Sequence, residues 1–259
     1  ILCEIRPDIC VSVGGRDIFC LPSCTDGSIK VSEFHFSHDK YAVKYGGSFF
    51  GNIYARFRMR QIEKVAAKLD KFIVLTKSDK KDWEPFVPNV TSIYNPLTLK
   101  SEEVAALDNE KCIAIGRLES QKNFRDLVAA WKYVAEEYPD WVLEIYGNGS
   151  LKKSLQKQIT SLGLDLQVRL MGSSSDIRSK MLDSSCLVMS SAYEGFPMVL
   201  LEAVETGLPM VSYDCPKGPA EIIIDGKSGY LVKPGDVEGL ARRVCDVISD
   251  AGRRKEFGA

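Results

Sequence analysis

No apolar run in these 259 residues approaches the length of a membrane span. Net charge is equally scant, 34 Lys and Arg against 35 Asp and Glu, so nothing global argues for a nucleic-acid or polyanionic partner. Histidine occurs only twice, as His35 and His38. Asp214 is isolated and no Asp-x-Asp follows a strand-like run, so a divalent-metal motif is missing and we expect chemistry without a metal cofactor. The eight cysteines, at 3, 10, 20, 24, 112, 186, 215 and 245, form no CxxC pair. Several fall in strand-like runs and read as buried thiols of a reducing, cytoplasmic compartment. The sequons at Asn89 and Asn148 matter only in a secreted protein. An initial methionine is absent as well. Ile1–Ile5 reads as the last turn of a helix already under way, so we expect an upstream segment and leave open a signal peptide on a longer parent.

At 45% hydrophobic and 27% charged, the chain is ordinary globular material, enough for one large or two smaller domains. Strand patterns fall at Asp8–Val13, Ile29–Phe36 and Phe72–Thr76. Between them Asn52–Leu69 carries an apolar helical stripe at 53, 54, 57, 62, 65, 66 and 69, with Arg56, Arg58, Arg60, Lys64 and Lys68 around it. The basic face is either simply solvated or touches anionic lipid headgroups on the inner face of a membrane. Polar, irregular sequence from Asn95 to Asn109 marks a boundary, giving domains 1–107 and 108–259. Strand-type runs then recur at about 112–115, 142–146, 167–171, 186–190 and 209–212, alternating with helix-type segments at about 123–137, 150–162, 175–184, 197–206 and 236–250. That alternation is the signature of parallel strands with crossover helices, an α/β doubly wound sheet.

The most informative stretch is Ser190-Ser191-Ala192-Tyr193-Glu194-Gly195-Phe196-Pro197-Met198-Val199-Leu200-Leu201-Glu202-Ala203. A strand precedes it, and Pro197 suits the first turn of the helix after it. Amides such as those of Met198 and Val199 would point out of that helix start, where a phosphate or sugar oxygen is favoured. Glu194 in the turn and Glu202 on the second helical turn would flank the opening, accepting hydrogen bonds from hydroxyls. A charged middle with hydroxyl-rich ends describes a nucleotide-sugar. The plainer alternative makes Glu194 an acid offsetting the helix dipole and Glu202 a solvated helix residue.

Ligands of an open parallel sheet sit off the carboxyl ends of its strands. Here those ends carry Gly116-Arg117, Gly147-Asn148-Gly149, Gly172-Ser173, Ser190–Glu194 and Asp214. Arg117 and Lys122 are natural counterions for a diphosphate. Taken singly, Arg117 could instead pair with Asp126 or Glu119, and Lys122 could be a solvated loop residue.

Gly116-Arg117-Leu118 with Gln121-Lys122-Asn123, then Glu194-Gly195-Phe196-Pro197 with Glu202, then Gly207-Leu208-Pro209, Asp214, Gly218–Ile223 and Gly226–Gly229 resemble the retaining glycosyltransferases of family 4, also called glycosyl transferases group 1. The match is close over roughly 110–250, and looser at Thr76–Asp79 and Ile93–Pro96. The resemblance implies the GT-B architecture: two Rossmann-like domains, the second gripping the nucleotide-sugar and the first the acceptor. Position by position it implies the diphosphate on Arg117, Lys122 and the amides after Gly195, with Gly116 and Gly147 in the adjoining turns. It puts the ribose on Glu202, the sugar near Glu194, the base along Leu170-Met171, and a histidine near the transferred sugar, for which His35 in Glu33-Phe34-His35-Phe36 is the candidate and a surface-loop histidine the alternative. Activity would be sugar transfer from a nucleotide-sugar, UDP-linked by preference, to a glycan, lipid-linked or small-molecule acceptor with retention at the anomeric carbon. Against a Rossmann-like domain of about five or six strands, residues 1–107 offer three or four, so we expect an incomplete first domain and slow transfer or none by the chain alone. Two other functions stay open: a nucleotide-sugar epimerase of the same architecture, and a non-catalytic nucleotide-sugar-binding module.

Overall fold

The computed structural model describes residues 2–97 and 100–259. Its contacts divide the chain into two compact units, one running to Pro96 and including Tyr193–Phe196, the other formed by Leu97–Ala192 and Pro197–Ala259.

In the first unit the order is α1 (Leu2–Ile5), β1 (Ile9–Ser12), β2 (Ile29–Phe34), α2 (Lys40–Tyr45), α3 (Phe49–Ala66), β3 (Lys71–Val74), α4 (Lys77–Trp83) and β4 (Val90–Ser92). The strands pair in parallel in the order β1-β2-β3-β4. Strand β4 is three residues long, too short for periodicity to reveal. Side chains cap the starts of α3 and α4: Ser48 Oγ accepts from the Gly51 amide at 3.0 Å, and Thr76 Oγ1 from the Asp79 amide at 3.0 Å.

Helix α3 corrects the expected stripe. Its buried positions are Ala55, Met59, Ile62 and Ala66, while Ile53, Tyr54 and Phe57 face solvent beside Phe49 and Phe50. The helix therefore carries two apolar faces, and summing over its length blurred them into one.

The core of this unit gathers on Trp83, which is fully buried and meets the rings of Phe72 at 4.7 Å and Phe34 at 5.2 Å. A buried carboxylate organises the surrounding backbone. Asp79 accepts from the Trp83 indole at 3.1 Å and from the His38 amide at 2.8 Å, joining α4 to the loop after β2.

The second unit runs β5 (Lys111–Ile115), α5 (Phe124–Glu137), β6 (Val142–Tyr146), α6 (Lys152–Ser161), β7 (Val168–Gly172), α7 (Ile177–Leu182), β8 (Cys186–Met189), α8 (Met198–Glu205), β9 (Met210–Tyr213), α9 (Pro219–Ile222), β10 (Gly229–Val232), α10 (Val237–Ile248) and α11 (Ala251–Gly258). Six parallel strands take the order β10-β9-β8-β5-β6-β7. Every strand-helix unit expected between 112 and 250 is present, and β10 is an addition. The architecture is the α/β arrangement of two parallel sheets expected of a GT-B protein.

The boundary at 107/108 is corrected by packing. Ala105 and Leu107 are buried in a core cluster with Ile113, Met189 and Leu200 of the second unit. The Ala105 amide donates to the Thr206 carbonyl at 2.8 Å, and Arg254 Nε donates to the Leu107 carbonyl at 3.1 Å. A few small apolar side chains in a polar segment were enough to attach it to the second core. The expectation of uniformly buried thiols is also corrected. Cys112, Cys186 and Cys215 are buried, whereas Cys20 is exposed and Cys10, Cys24 and Cys245 are half-buried; Cys3 lies outside the described side chains. Among the described residues no helix is long and apolar enough to cross a membrane.

Removing the Asp79 carboxylate leaves two buried donors unmet. Asp79→Leu is expected to lower the unfolding free energy by about 1–3 kcal/mol per orphaned donor. Urea denaturation checks it, and an unmoved midpoint would show that the carboxylate does not hold this loop.

Candidate functional site

The strand order of the second sheet reverses between β5 and β8, since β6 lies on one side of β5 and β8 on the other. Loops leaving those two strands in opposite directions open a crevice at the carboxyl edge, where open α/β sheets bind ligands. The residues singled out in the sequence come from the loops around it.

Glycine makes the first of those loops possible. A Cβ on Gly147 would come within 1.9 Å of the Gly116 carbonyl oxygen, and one on Gly149 within 2.4 Å of the Leu118 carbonyl oxygen. Any side chain there would force the β5 and β6 loops apart. Backbone hydrogen bonds hold them together: the Gly116 amide to the Tyr146 carbonyl at 2.9 Å, the Leu118 amide to the Asn148 carbonyl at 2.9 Å, and the Gly147 amide to the Gly172 carbonyl at 2.8 Å. The aliphatic stem of Lys122 lies across Gly116, where a Cβ would sit 2.8 Å from its Cε.

The β5 loop is tied in turn to the end of β8. Ser190 Oγ donates to the Lys122 carbonyl at 3.0 Å, and the Ala192 amide to the Gln121 carbonyl at 2.8 Å. Arg117 is exposed, donating from Nη2 to Gln121 Oε1 at 3.3 Å. Its alternative partners are engaged elsewhere. Glu119 accepts from the Ser150 amide at 2.8 Å and hydroxyl at 2.9 Å, and Asp126 from the Tyr213 hydroxyl at 3.2 Å. Those Ser150 bonds, helped by the Arg117 charge, hold the Glu119 carboxyl below its usual range.

Helix starts at this edge are of two kinds. No side chain caps α5, α6, α8 or α9, whereas Asp176, Asp236 and Asp250 cap α7, α10 and α11. Pro197 occupies the N-cap of α8, so Met198 and Val199 begin the helix proper. Val199, Leu200 and Ala203 bury one face of α8, leaving Glu202 half-buried on its second turn. Burial pushes the Glu202 carboxyl above its ordinary value, so it is not the solvated helix residue of the plainer reading.

Leu170 and Met171, expected to line the base through backbone atoms, fall at the end of β7. Leu170 packs against the main core, and Met171 is 45% exposed at a bulge where Ile145 pairs with Leu170 but Tyr146 with Gly172. The extra residue turns Met171 outward. Beside that strand end opens a pocket of about 350 Å³ lined by Gly116, Arg117, Tyr146, Asn148, Ser173 and Ile177 among others. Asn148 Nδ2 donates to Ser173 Oγ at 3.0 Å across its rim. Glycines 147 and 172, at strand ends, were the sequence signal for it.

The remaining candidates belong to the first unit. Gly195 and Phe196 cluster there: Phe196 stacks on Tyr94 at 5.3 Å, and a Cβ on Gly195 would lie 2.3 Å from the His35 carbonyl oxygen. Glu194 is 6% exposed and stands four residues before α8, outside its first turn. His35 is half-exposed, its Nε2 3.2 Å from Glu33 Oε2. His38 is built into the fold, 3.0 Å from Glu63 Oε1, edge-on to Trp83 and stacked on Phe86. Of the two, His35 is the more available. Among the described residues no group of three or more His, Cys, Asp or Glu is arranged to hold a metal ion.

The family model described as glycosyl transferases group 1 matches residues 98–259. An uncharacterized glycosyltransferase of Haemophilus influenzae is 31% identical over 184 residues, which cover 70% of this chain and 52% of that protein. The amylovoran biosynthesis glycosyltransferase AmsD of Erwinia amylovora is 33% identical over 197 residues, covering 73% and 55% respectively. The chain thus spans about half the length of these curated relatives. Among solved structures, Anabaena HepE in complex with UDP superposes with a TM-score of 0.80 at 19% identity, over 99% of this chain and 72% of that one, a likeness of fold.

Raised by burial, the Glu202 pKa lies above its unfolded value of about 4.5, so the charged form is the less stable one in the native protein. Stability is then fully present below that value and lost as pH rises through the folded pKa. Glu202→Gln is expected to melt higher than the parent at pH 8, with the gap closing towards pH 4. A gap of equal size at both pH values would show that ionisation of Glu202 carries no cost.

Proposed function

This chain belongs to the glycosyl transferases group 1 family, and on that premise we propose that it transfers a sugar from a nucleotide-sugar, UDP-linked by preference, to a glycan, lipid-linked or small-molecule acceptor with retention at the anomeric carbon. The observation that carries the reading is that the elements beside the β5/β8 reversal of the second sheet supply Arg117, the Lys122 stem, the open start of α8 and, on that helix's second turn, half-buried Glu202. Arg117, Lys122 and the first amides of α8 bind the diphosphate. They stabilise it as its charge grows on departure, so no divalent metal is needed. Glu202 accepts from the ribose hydroxyls, and the pocket beside Asn148 and Ser173 takes the base. Glu194 serves the sugar, and His35 acts near it. UDP is the nucleotide in the Anabaena complex, which makes it the first probe.

The reading extends to the setting of the acceptor. Phe49 and Phe50 are 75% and 82% exposed on α3, flanked by Ile53 and Phe57 and followed by Arg56, Arg60 and Lys64. Exposed aromatics beside cations suit peripheral contact with an anionic bilayer.

Calorimetric titration with UDP is expected to give the same affinity with and without EDTA. Arg117→Ala and Lys122→Ala should each lose about 1.5–3 kcal/mol of binding, the worth of a hydrogen bond to a charged group. Glu194→Ala should weaken a UDP-sugar but not UDP. Chelator-sensitive binding, or parent affinity in both cation variants, would refute the site.

For the membrane contact, replacing Phe49 and Phe50 together by Ser should reduce co-sedimentation with phosphatidylglycerol vesicles. Equal recovery of variant and parent would remove α3 as the contact.

A further inference from the structure

The first unit has its own pocket at the carboxyl edge of its sheet. Gly14-Gly15 follow β1 and Phe36 follows β2, and beside them opens a cavity of about 290 Å³. Carboxyl edges of parallel strands are where α/β sheets take ligands. Three cations line it, Arg16, Lys40 and Arg58, without a carboxylate among the lining residues. Among the described residues no ion pair engages any of the three. The concentration of positive charge is local, since the chain as a whole carries −1.

Aromatic rings lie beside two of those cations. Lys40 Nζ lies 3.0 Å from the centre of the Phe36 ring, and the Arg58 guanidinium lies 5.5 Å from Phe19 and 6.0 Å from Tyr41. Arg58 is further held by donation to Gln61 Oε1 at 2.7 Å. Burial, with the Lys44 charge nearby, brings the Lys40 amine down to about 8. A partly desolvated ammonium in a cavity that two guanidinium groups also line is unfavourable by itself and is relieved by an anion bound there. The rings offer flat apolar walls, on which the C–H faces of a polyol or sugar pack. A cavity of this size, at the small end of ligand pockets, holds one such unit rather than a long polymer segment.

We propose that this pocket binds the phosphate of a phosphorylated polyol or sugar unit, so that the acceptor is anionic. Its role as an acceptor subsite rests on the transferase reading, whereas the binding itself does not. Arg16 and Arg58 present planar donors to the phosphate oxygens, Lys40 supplies a point charge, and Phe36 and Tyr41 carry the carbon skeleton.

Calorimetric titration of the full chain with glycerol 3-phosphate, inorganic phosphate and glycerol tests this. Glycerol 3-phosphate should bind saturably, inorganic phosphate about tenfold more weakly, and glycerol not measurably. Arg16→Gln and Lys40→Met should each raise the Kd for glycerol 3-phosphate about tenfold while leaving UDP binding unchanged. Arg16 is exposed, so its variant keeps the test decisive if the Lys40 variant does not fold. No saturable binding of glycerol 3-phosphate, equal affinity for inorganic phosphate, or parent affinity in the Arg16 variant would each overturn the assignment. Failure of UDP alone to bind the parent would overturn the donor site and leave this pocket standing.

Discussion

The candidate site depends on two backbones being able to touch. Gly147 and Gly149 let the loop after β6 lie directly on the loop after β5, at separations no Cβ could share. Once in contact, the loops exchange backbone hydrogen bonds instead of presenting buried, unmet amides. The same approach fixes where the next residues go. Arg117 is pushed to the surface of the crevice, and the Lys122 stem is laid over Gly116 because nothing occupies that space. Ser190 then fastens this assembly to the strand on the other side of the reversal. A cationic edge is therefore a consequence of missing side chains after the neighbouring strand.

Along that edge some helix starts are capped and others are not. Asp caps satisfy the starts of α7, α10 and α11, each of the kind that contributes about 0.5–2 kcal/mol. At α5, α6, α8 and α9 that contribution is absent. Glu202 adds a desolvated carboxylate to the same region, and Ser191 a buried hydroxyl with no partner among the described residues. Open amides and a half-buried acid cost stability, and they are the groups that the proposed donor site would use. The first unit follows the opposite rule around Asp79, whose buried carboxylate is matched by named donors and holds the loop carrying His35 and His38. Elsewhere in the same unit the buried side-chain oxygens of Ser12, Ser32, Ser37 and Asn89 Oδ1 have no partner among the described residues, and unpaired cations lie beside Phe36.

Sequence by itself determined the doubly wound sheet of the second unit, because alternating strand and helix periods admit only parallel strands with crossovers. It also singled out Arg117, Lys122 and the glycines at strand ends, which sit in turns whose chemistry is local, and Glu202 on the second turn of α8. Tertiary structure decided the rest. Met171 points outward because one extra residue in β7 bulges against β6, a mismatch between two strands that neither one records alone. Ala105 and Leu107 joined the second core, and Gly195 and Phe196 the first unit, through contacts with residues far away in the chain. On α3 the pattern marked apolar positions but not which of its two faces would find a partner. Periodicity reports that a side chain is fit for burial; only the folded chain supplies, or withholds, the surface that buries it.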